Sequence, residues 1–140
     1  MNVMKKDITF GDMTYNHSWY KETSVRLFDK EFLVDIIARA YKGEDIINSQ
    51  REMFSYAMAN IETIWETAIP LIYKYITGMD KFDSSFAKDY VYKNIAPFSF
   101  LFQRDNSWGI LCNTNKDEDS GVAVVIKDGN ITICTIEEFL

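Results

Sequence analysis

The chain has 140 residues, a length that fits one domain with a substantial core. Hydrophobic residues make up 47% and charged residues 26%, a composition that excludes a disordered chain. The formal net charge of -6 argues against nucleic acid as a partner, because binding to its phosphates needs clustered Lys and Arg.

No targeting or membrane segment is predicted. Residues 1–7 are polar, contain Lys5 and Lys6, and are not followed by an apolar stretch, so we expect no signal peptide. No apolar run approaches the roughly 18 residues that span a bilayer. We therefore predict a cytoplasmic protein with no membrane partner, in which Cys112 and Cys134 are reduced thiols.

Apolar alternation predicts three strands near the N-terminus. They cover residues 8–15, 19–28 and 32–41, and the polar segments 16–18 and 29–30 provide the turns between them. Because the connections are short, the three strands should form an antiparallel β-meander.

The clearest helix covers residues 49–77. Ser49 and Glu52 have the spacing of a capping box, and apolar residues then recur at three- and four-residue intervals. Pro70 predicts a kink within the helix, and Gly78 is a typical C-cap.

A second, shorter helix should follow after a polar joint. Ser84 or Ser85 would cap it, and Pro97 would end it. Residues 98–102 fit either a strand or an irregular aromatic segment.

The segment 108–136 predicts three antiparallel strands. Its Asp128-Gly129 pair is typical of a two-residue type I′ hairpin, in which Ile126 would face Ile131. That register gives one wholly aliphatic face, which we expect to be core: Val122, Val124, Ile126, Ile131 and Ile133. The order of strands, helices and strands predicts an α+β fold in one domain over residues 1–140.

The sequence contains no recognisable catalytic set. His17 is the only histidine and lies in a predicted turn, with no partner marked by a motif. Cys112 and Cys134 lack Cys-x-x-Cys spacing and fit small apolar residues in strands. We therefore predict that the protein is not an enzyme and needs no cofactor.

The acidic loop 113–121 is the one candidate for cation binding. Asn113, Asp117 and Asp119 could supply oxygen ligands, but Glu118 stands where an EF-hand needs its turn glycine. A solvated loop is therefore favoured, and a small-ligand or cation-binding domain that uses this loop is the alternative function.

Aromatic residues are in excess at 15%. Exposed tyrosine and tryptophan on an acidic protein are the usual anchors of a protein interface. The predicted partner-binding residues combine two aromatic side chains with the acids of the loop: Trp19, Tyr20, Asp117, Glu118 and Asp119.

Segments 10–15, 34–41, 108–112 and 119–124 together resemble a bacterial domain-of-unknown-function family, family 6985, of small α+β domains. The resemblance implies a role in protein binding, with immunity against a cognate toxin as the candidate function. Family members tend to have Glu-His before a glycine where this chain has Asp119-Ser120, so a role of that histidine is not carried over.

Overall fold

The computed structural model describes residues 3–115 and 121–140. Within them the chain forms, in order, β1 (Val3–Asp7), β2 (Gly11–Tyr15), β3 (Trp19–Leu27), β4 (Lys30–Ala38), α1 (Asn48–Thr77), α2 (Ser84–Asn94), β5 (Ile95–Phe102), β6 (Ser107–Thr114), β7 (Val122–Lys127), β8 (Asn130–Thr135) and α3 (Ile136–Phe139).

The strands form one eight-stranded sheet in which each strand lies beside its neighbours in the sequence. All adjacent pairs are antiparallel except β4 and β5, which are parallel. A parallel connection must cross over, and here α1 and α2 form it. The α+β prediction is confirmed.

The core lies between the sheet and the two long helices. Alternate residues of the central strands, including Ile36, Phe100 and Ile110, are fully buried there against α1 residues such as Trp65 and Ile72. Burying each aliphatic or phenyl side chain contributes roughly 1.5–3 kcal/mol, so this layer dominates the stability of the fold.

The short helix α3 covers part of the opposite face. The ring of Phe139 lies so close to Gly109 that a Cβ there would come within 2.7 Å of it. Over β4 the same face is open to solvent, and Leu33 there keeps 62% of its surface exposed.

The predicted first strand, residues 8–15, is observed only over residues 11–15, which form β2. Residues 8–10 form a turn, because the Asp7 carboxylate accepts hydrogen bonds from the amides of Thr9 and Phe10, both at 3.0 Å, and residues 3–7 form an additional strand, β1. Phe10 then enters the core while Ile8 stays 94% exposed. The N-terminal meander therefore has four strands.

The helix caps also differ from prediction. Helix α1 begins at Asn48, with Ile47 as N-cap, and Ser49 does not cap it. The amide of Ile47 donates to the side chain of Gln50, which is fully buried. Helix α2 is capped by Asp83.

Two other predictions, for Gly78 and for the β7–β8 hairpin, are confirmed, and one of two open alternatives, for residues 98–102, is observed. Gly78 closes α1 with φ 73°. Segment 98–102 is part of strand β5. At the β7–β8 hairpin Asp128 and Gly129 both have positive φ, and the predicted pairing of their flanking strands is observed. The turn between β3 and β4 lies at residues 28–29, one residue earlier than the predicted 29–30.

Candidate functional site

An open cleft of about 860 Å³ lies at the β1 end of the sheet. Its volume falls within the roughly 300–1,000 Å³ of typical ligand pockets. We call it the Trp19 cleft. It is bounded by β1, the β2–β3 turn and the loop from β4 to α1, with these lining residues: Val3, Lys5, Tyr15, Asn16, His17, Trp19, Lys42, Gly43, Glu44 and Asp45.

Two aromatic side chains form the wall of the Trp19 cleft. Tyr15 ends β2 and Trp19 begins β3, and the two residues pair directly across the hairpin. The tight turn between them requires the left-handed backbone of His17, whose φ is 67°. The two rings meet edge to face with centroids 5.3 Å apart, a favourable aromatic geometry.

The polar ends of both rings are tied to the β4–α1 loop region. The Trp19 indole donates to the carbonyl of Glu44 at 2.9 Å, and the Tyr15 hydroxyl donates to the carbonyl of Ala40 at 3.1 Å. These bonds hold the rings in place without a ligand. A ligand would therefore meet a preorganised wall and lose less entropy on binding.

The acidic groups of the cleft are already neutralised by cations of the same molecule. Asp45 forms an ion pair with Lys5, and the hydrogen bond from Lys5 lowers the pKa of the Asp45 carboxyl. Glu44 accepts from the Tyr41 amide at 2.7 Å and lies 3.8 Å from Arg104. The Lys5 ammonium also lies 5.7 Å from the Trp19 ring centroid.

Lys42 is the cleft cation left available to a ligand. Its side chain is exposed, and it makes no hydrogen bond or ion pair within residues 3–115 and 121–140. The cleft thus offers a ligand an aromatic wall and one unpaired positive charge.

A buried ion pair fixes β1 beside the cleft. The Asp7 carboxylate accepts from the Arg51 guanidinium at 2.8 and 2.9 Å, which ties β1 to α1. Burial alone would raise the pKa of Asp7, but the hydrogen bonds from Arg51, Phe10 and Thr9 and the charge of Arg51 outweigh it and lower the pKa to about 2.

The structure separates the residues predicted to bind a partner. Trp19 lines the cleft but is only 8% exposed, so it is not the exposed side chain that was expected, whereas Tyr20 lies opposite Ile37 on the other face of the sheet. Asp117, Glu118 and Asp119 lie outside the described residues, so their part of the prediction stays a prediction.

The sequence did not indicate the other cleft residues, because their positions depend on a distant loop folding against the hairpin. Tyr15, Lys42 and Asp45 match no short motif. An aromatic residue on either side of a tight turn, at 15 and 19, is the only local signal that could have indicated the wall.

No group of three or more His, Cys, Asp or Glu within the described parts of the chain is placed to hold a metal ion. Asn113 is exposed near the end of β6, and the other proposed ligands, Asp117 and Asp119, lie outside those parts. Of the two free thiols, Cys112 is buried, which raises its pKa, and Cys134 is half-buried. No described helix has the length and apolar character needed to cross a membrane.

Comparison with known proteins places the chain in a family. The model of the domain of unknown function DUF6985 matches residues 9–138, which is nearly the whole chain. No curated protein and no solved structure matches it. The resemblance predicted from the sequence is confirmed, and the chain belongs to the DUF6985 family.

Proposed function

We propose that this domain acts by binding another protein, without catalysing a reaction, and that the Trp19 cleft is part of the interface. The observation that carries the proposal is the preorganised wall formed by the half-buried Tyr15 and the exposed edge of Trp19, beside the unpaired Lys42. Aromatic anchors held rigid before binding are typical of the energetic centre of a protein interface.

The surface around the cleft supports a macromolecular partner. Val3 of β1 lines the cleft and keeps 62% of its surface exposed, and Tyr41, on the loop that borders the cleft, keeps 73%. Neighbouring exposed apolar side chains favour contact with a protein.

Three polar groups of the cleft are engaged within the molecule, which supports a role in binding. The Trp19 indole, the Tyr15 hydroxyl and the Asp45 carboxylate all have partners within the molecule. A general acid or base must be free to exchange a proton with a substrate. His17 lies on the rim of the cleft, and we propose that it contacts the partner there.

A cognate toxin is the first partner to test, since the sequence resemblance implies an immunity role. The domain should be purified from its source cells, and the co-purifying protein identified. Its dissociation constant should then be measured by calorimetry for the wild type, Lys42→Glu and Lys81→Glu.

The two charge reversals form a matched pair, because Lys81 is also exposed but lies in the joint between α1 and α2. Lys42→Glu should weaken binding about tenfold, since reversing an interface charge replaces attraction with repulsion. Lys81→Glu should leave the affinity unchanged. Equal affinities for all three proteins would exclude the Trp19 cleft from the interface.

A small ligand in the same cleft is the second candidate, and the cleft volume of about 860 Å³ favours it. A ligand that binds only the native state must raise the melting temperature. A thermal-shift screen of common metabolites against the wild type and Lys42→Glu tests this alternative. Adding millimolar calcium to the same assay tests the cation-binding prediction for loop 113–121, and an unchanged melting temperature would contradict it.

A further inference from the structure

A second concave surface lies at the opposite end of the sheet, between the first turns of α1 and the β7–β8 hairpin. Its volume is about 420 Å³. We call it the acid-rimmed groove. Its apolar lining consists of Met53, Ile64, Trp108, Ile126 and Ile131, and its rim carries Ser49, Glu52, Tyr56, Asn106, Asp128 and Gly129.

The floor of the groove is a rigid part of the core. Trp108 is 2% exposed and stacks on Phe102 with ring centroids 5.4 Å apart. Ile126 is also buried, and it pairs across the hairpin with Ile131. A ligand at this groove would therefore meet an apolar floor that needs no rearrangement.

The rim carries two acidic side chains without a compensating cation. Glu52 and Asp128 are exposed and make no ion pair or side-chain hydrogen bond with the rest of the described chain. The neighbouring Arg51 is engaged by Asp7 and Asn48.

Lys127, which precedes Asp128, does not neutralise the rim either. Strand residues alternate between faces, so Lys127 lies on the face opposite to Ile126. Its charge acts instead on Asp105, whose pKa is lowered first by a hydrogen bond from Ser107 and in smaller part by Lys127.

We propose that the acid-rimmed groove binds an arginine side chain of a partner protein. The alkyl stem would lie on the apolar floor, and the guanidinium would lie between Glu52 and Asp128 beside the ring of Tyr56, which is 58% exposed. Arginine suits this arrangement because its stem is apolar, while its planar head binds carboxylates and packs on aromatic rings.

This inference goes beyond the proposed function, since the groove and the Trp19 cleft lie at opposite ends of the sheet and can be tested separately. The probe is N-acetyl-arginine amide, and the matched control is N-acetyl-citrulline amide, which has nearly the same shape and no charge. The three tryptophans serve as reporters in ¹⁵N NMR spectra, because Trp108 lines the groove, Trp19 lines the cleft and Trp65 lies in the core.

The arginine probe should shift the indole signal of Trp108 and the amides of Glu52 and Asp128, with a millimolar dissociation constant, and citrulline should not. The double variant Glu52→Gln/Asp128→Asn should weaken binding at least about fivefold, because charge-assisted hydrogen bonds are lost. Asparagine tolerates the left-handed backbone at 128, so the turn should persist.

A control double variant, Glu66→Gln/Asp89→Asn, removes two exposed acids of α1 and α2 that do not line the groove. It should bind the probe like the wild type. Equal shifts with citrulline, equal losses in both double variants, or no Trp108 shift with arginine would each overturn the proposal. Loss of binding to a partner after Lys42→Glu would leave these results unaffected, so the two proposals fail independently.

Discussion

Replacing Asp7 by asparagine should detach the β1–β2 hairpin from helix α1. The Asp7 side chain is 1% exposed, and its two oxygens accept from Arg51 and from the amides of Thr9 and Phe10. An asparagine side chain keeps one acceptor, but its other terminal atom becomes a donor that faces existing donors. The substitution therefore removes both a charge and about half of these hydrogen bonds.

The magnitude follows from the pKa of Asp7, which falls from 3.8 to about 2 in the folded protein. At 1.36 kcal/mol per pKa unit this corresponds to about 2 kcal/mol. Removing one partner of a fully buried ion pair costs about 3–5 kcal/mol. The Arg51 side chain keeps 21% of its surface exposed and can be hydrated, so we expect a loss of about 2–3 kcal/mol for Asp7→Asn.

Urea denaturation at several pH values tests this expectation. A depressed pKa stabilises the folded state above the unfolded pKa of 3.8, and this stabilisation is lost as the pH falls towards 2. The wild type should therefore be more stable than Asp7→Asn at neutral pH, and the difference should shrink between pH 4 and pH 2. The exposed Asp12 of β2 provides the control, since Asp12→Asn should change stability little. The reasoning would be refuted if the two proteins had the same free energy of unfolding at neutral pH, or if the difference between them did not change with pH.

Three further tests, of the two helix N-termini and of the Gly109 contact, use thermal or urea denaturation. Ser49→Ala should change the free energy of unfolding by less than about 0.5 kcal/mol because Ser49 does not cap the helix. Gln50→Ala should cost at least about 2 kcal/mol, because it removes the three hydrogen bonds of a fully buried side chain. A loss above about 0.5 kcal/mol for Ser49→Ala would contradict the observed cap. Asp83→Ala should cost about 1 kcal/mol, the value of an N-cap, and a neutral result would contradict its role. Gly109→Ala should cost about 1–3 kcal/mol by overpacking against Phe139, and Phe139→Ala should relieve that penalty in the double variant; additive losses would contradict the contact.

Features set by local chemistry could be predicted from the sequence. The β7–β8 hairpin follows from Asp128-Gly129, because two adjacent residues with positive φ are what a type I′ turn requires. The extent of α1 follows from its apolar periodicity and from Gly78 at its end.

Features that depend on contacts distant in the sequence could not be predicted. Gln50 replaces Ser49 at the start of α1 because its amide also donates to the carbonyls of Arg39 and Phe102, at 2.9 and 3.0 Å. The turn after β1 depends likewise on Asp7 being engaged by Arg51, 44 positions away.

In the candidate site, too, the locally determined features could be predicted and those that depend on distant contacts could not. Trp19 could be singled out by its residue type alone, since tryptophan is a frequent interface anchor. The loop that fixes its indole, through the Glu44 carbonyl, carries no signal that relates it to the β2–β3 turn. The separation of Trp19 and Tyr20 follows from strand alternation, which places neighbouring residues on opposite faces.

The indole signal of Trp19 gives the most direct test of binding through the Trp19 cleft. The domain labelled with ¹⁵N should be titrated with its co-purifying partner, and the three tryptophan signals followed together. We predict that Trp19 and the amides of residues 42–45 shift or broaden on binding while the buried Trp65 does not. A complex that forms with the Trp19 signal and these amides unchanged would contradict the proposed interface.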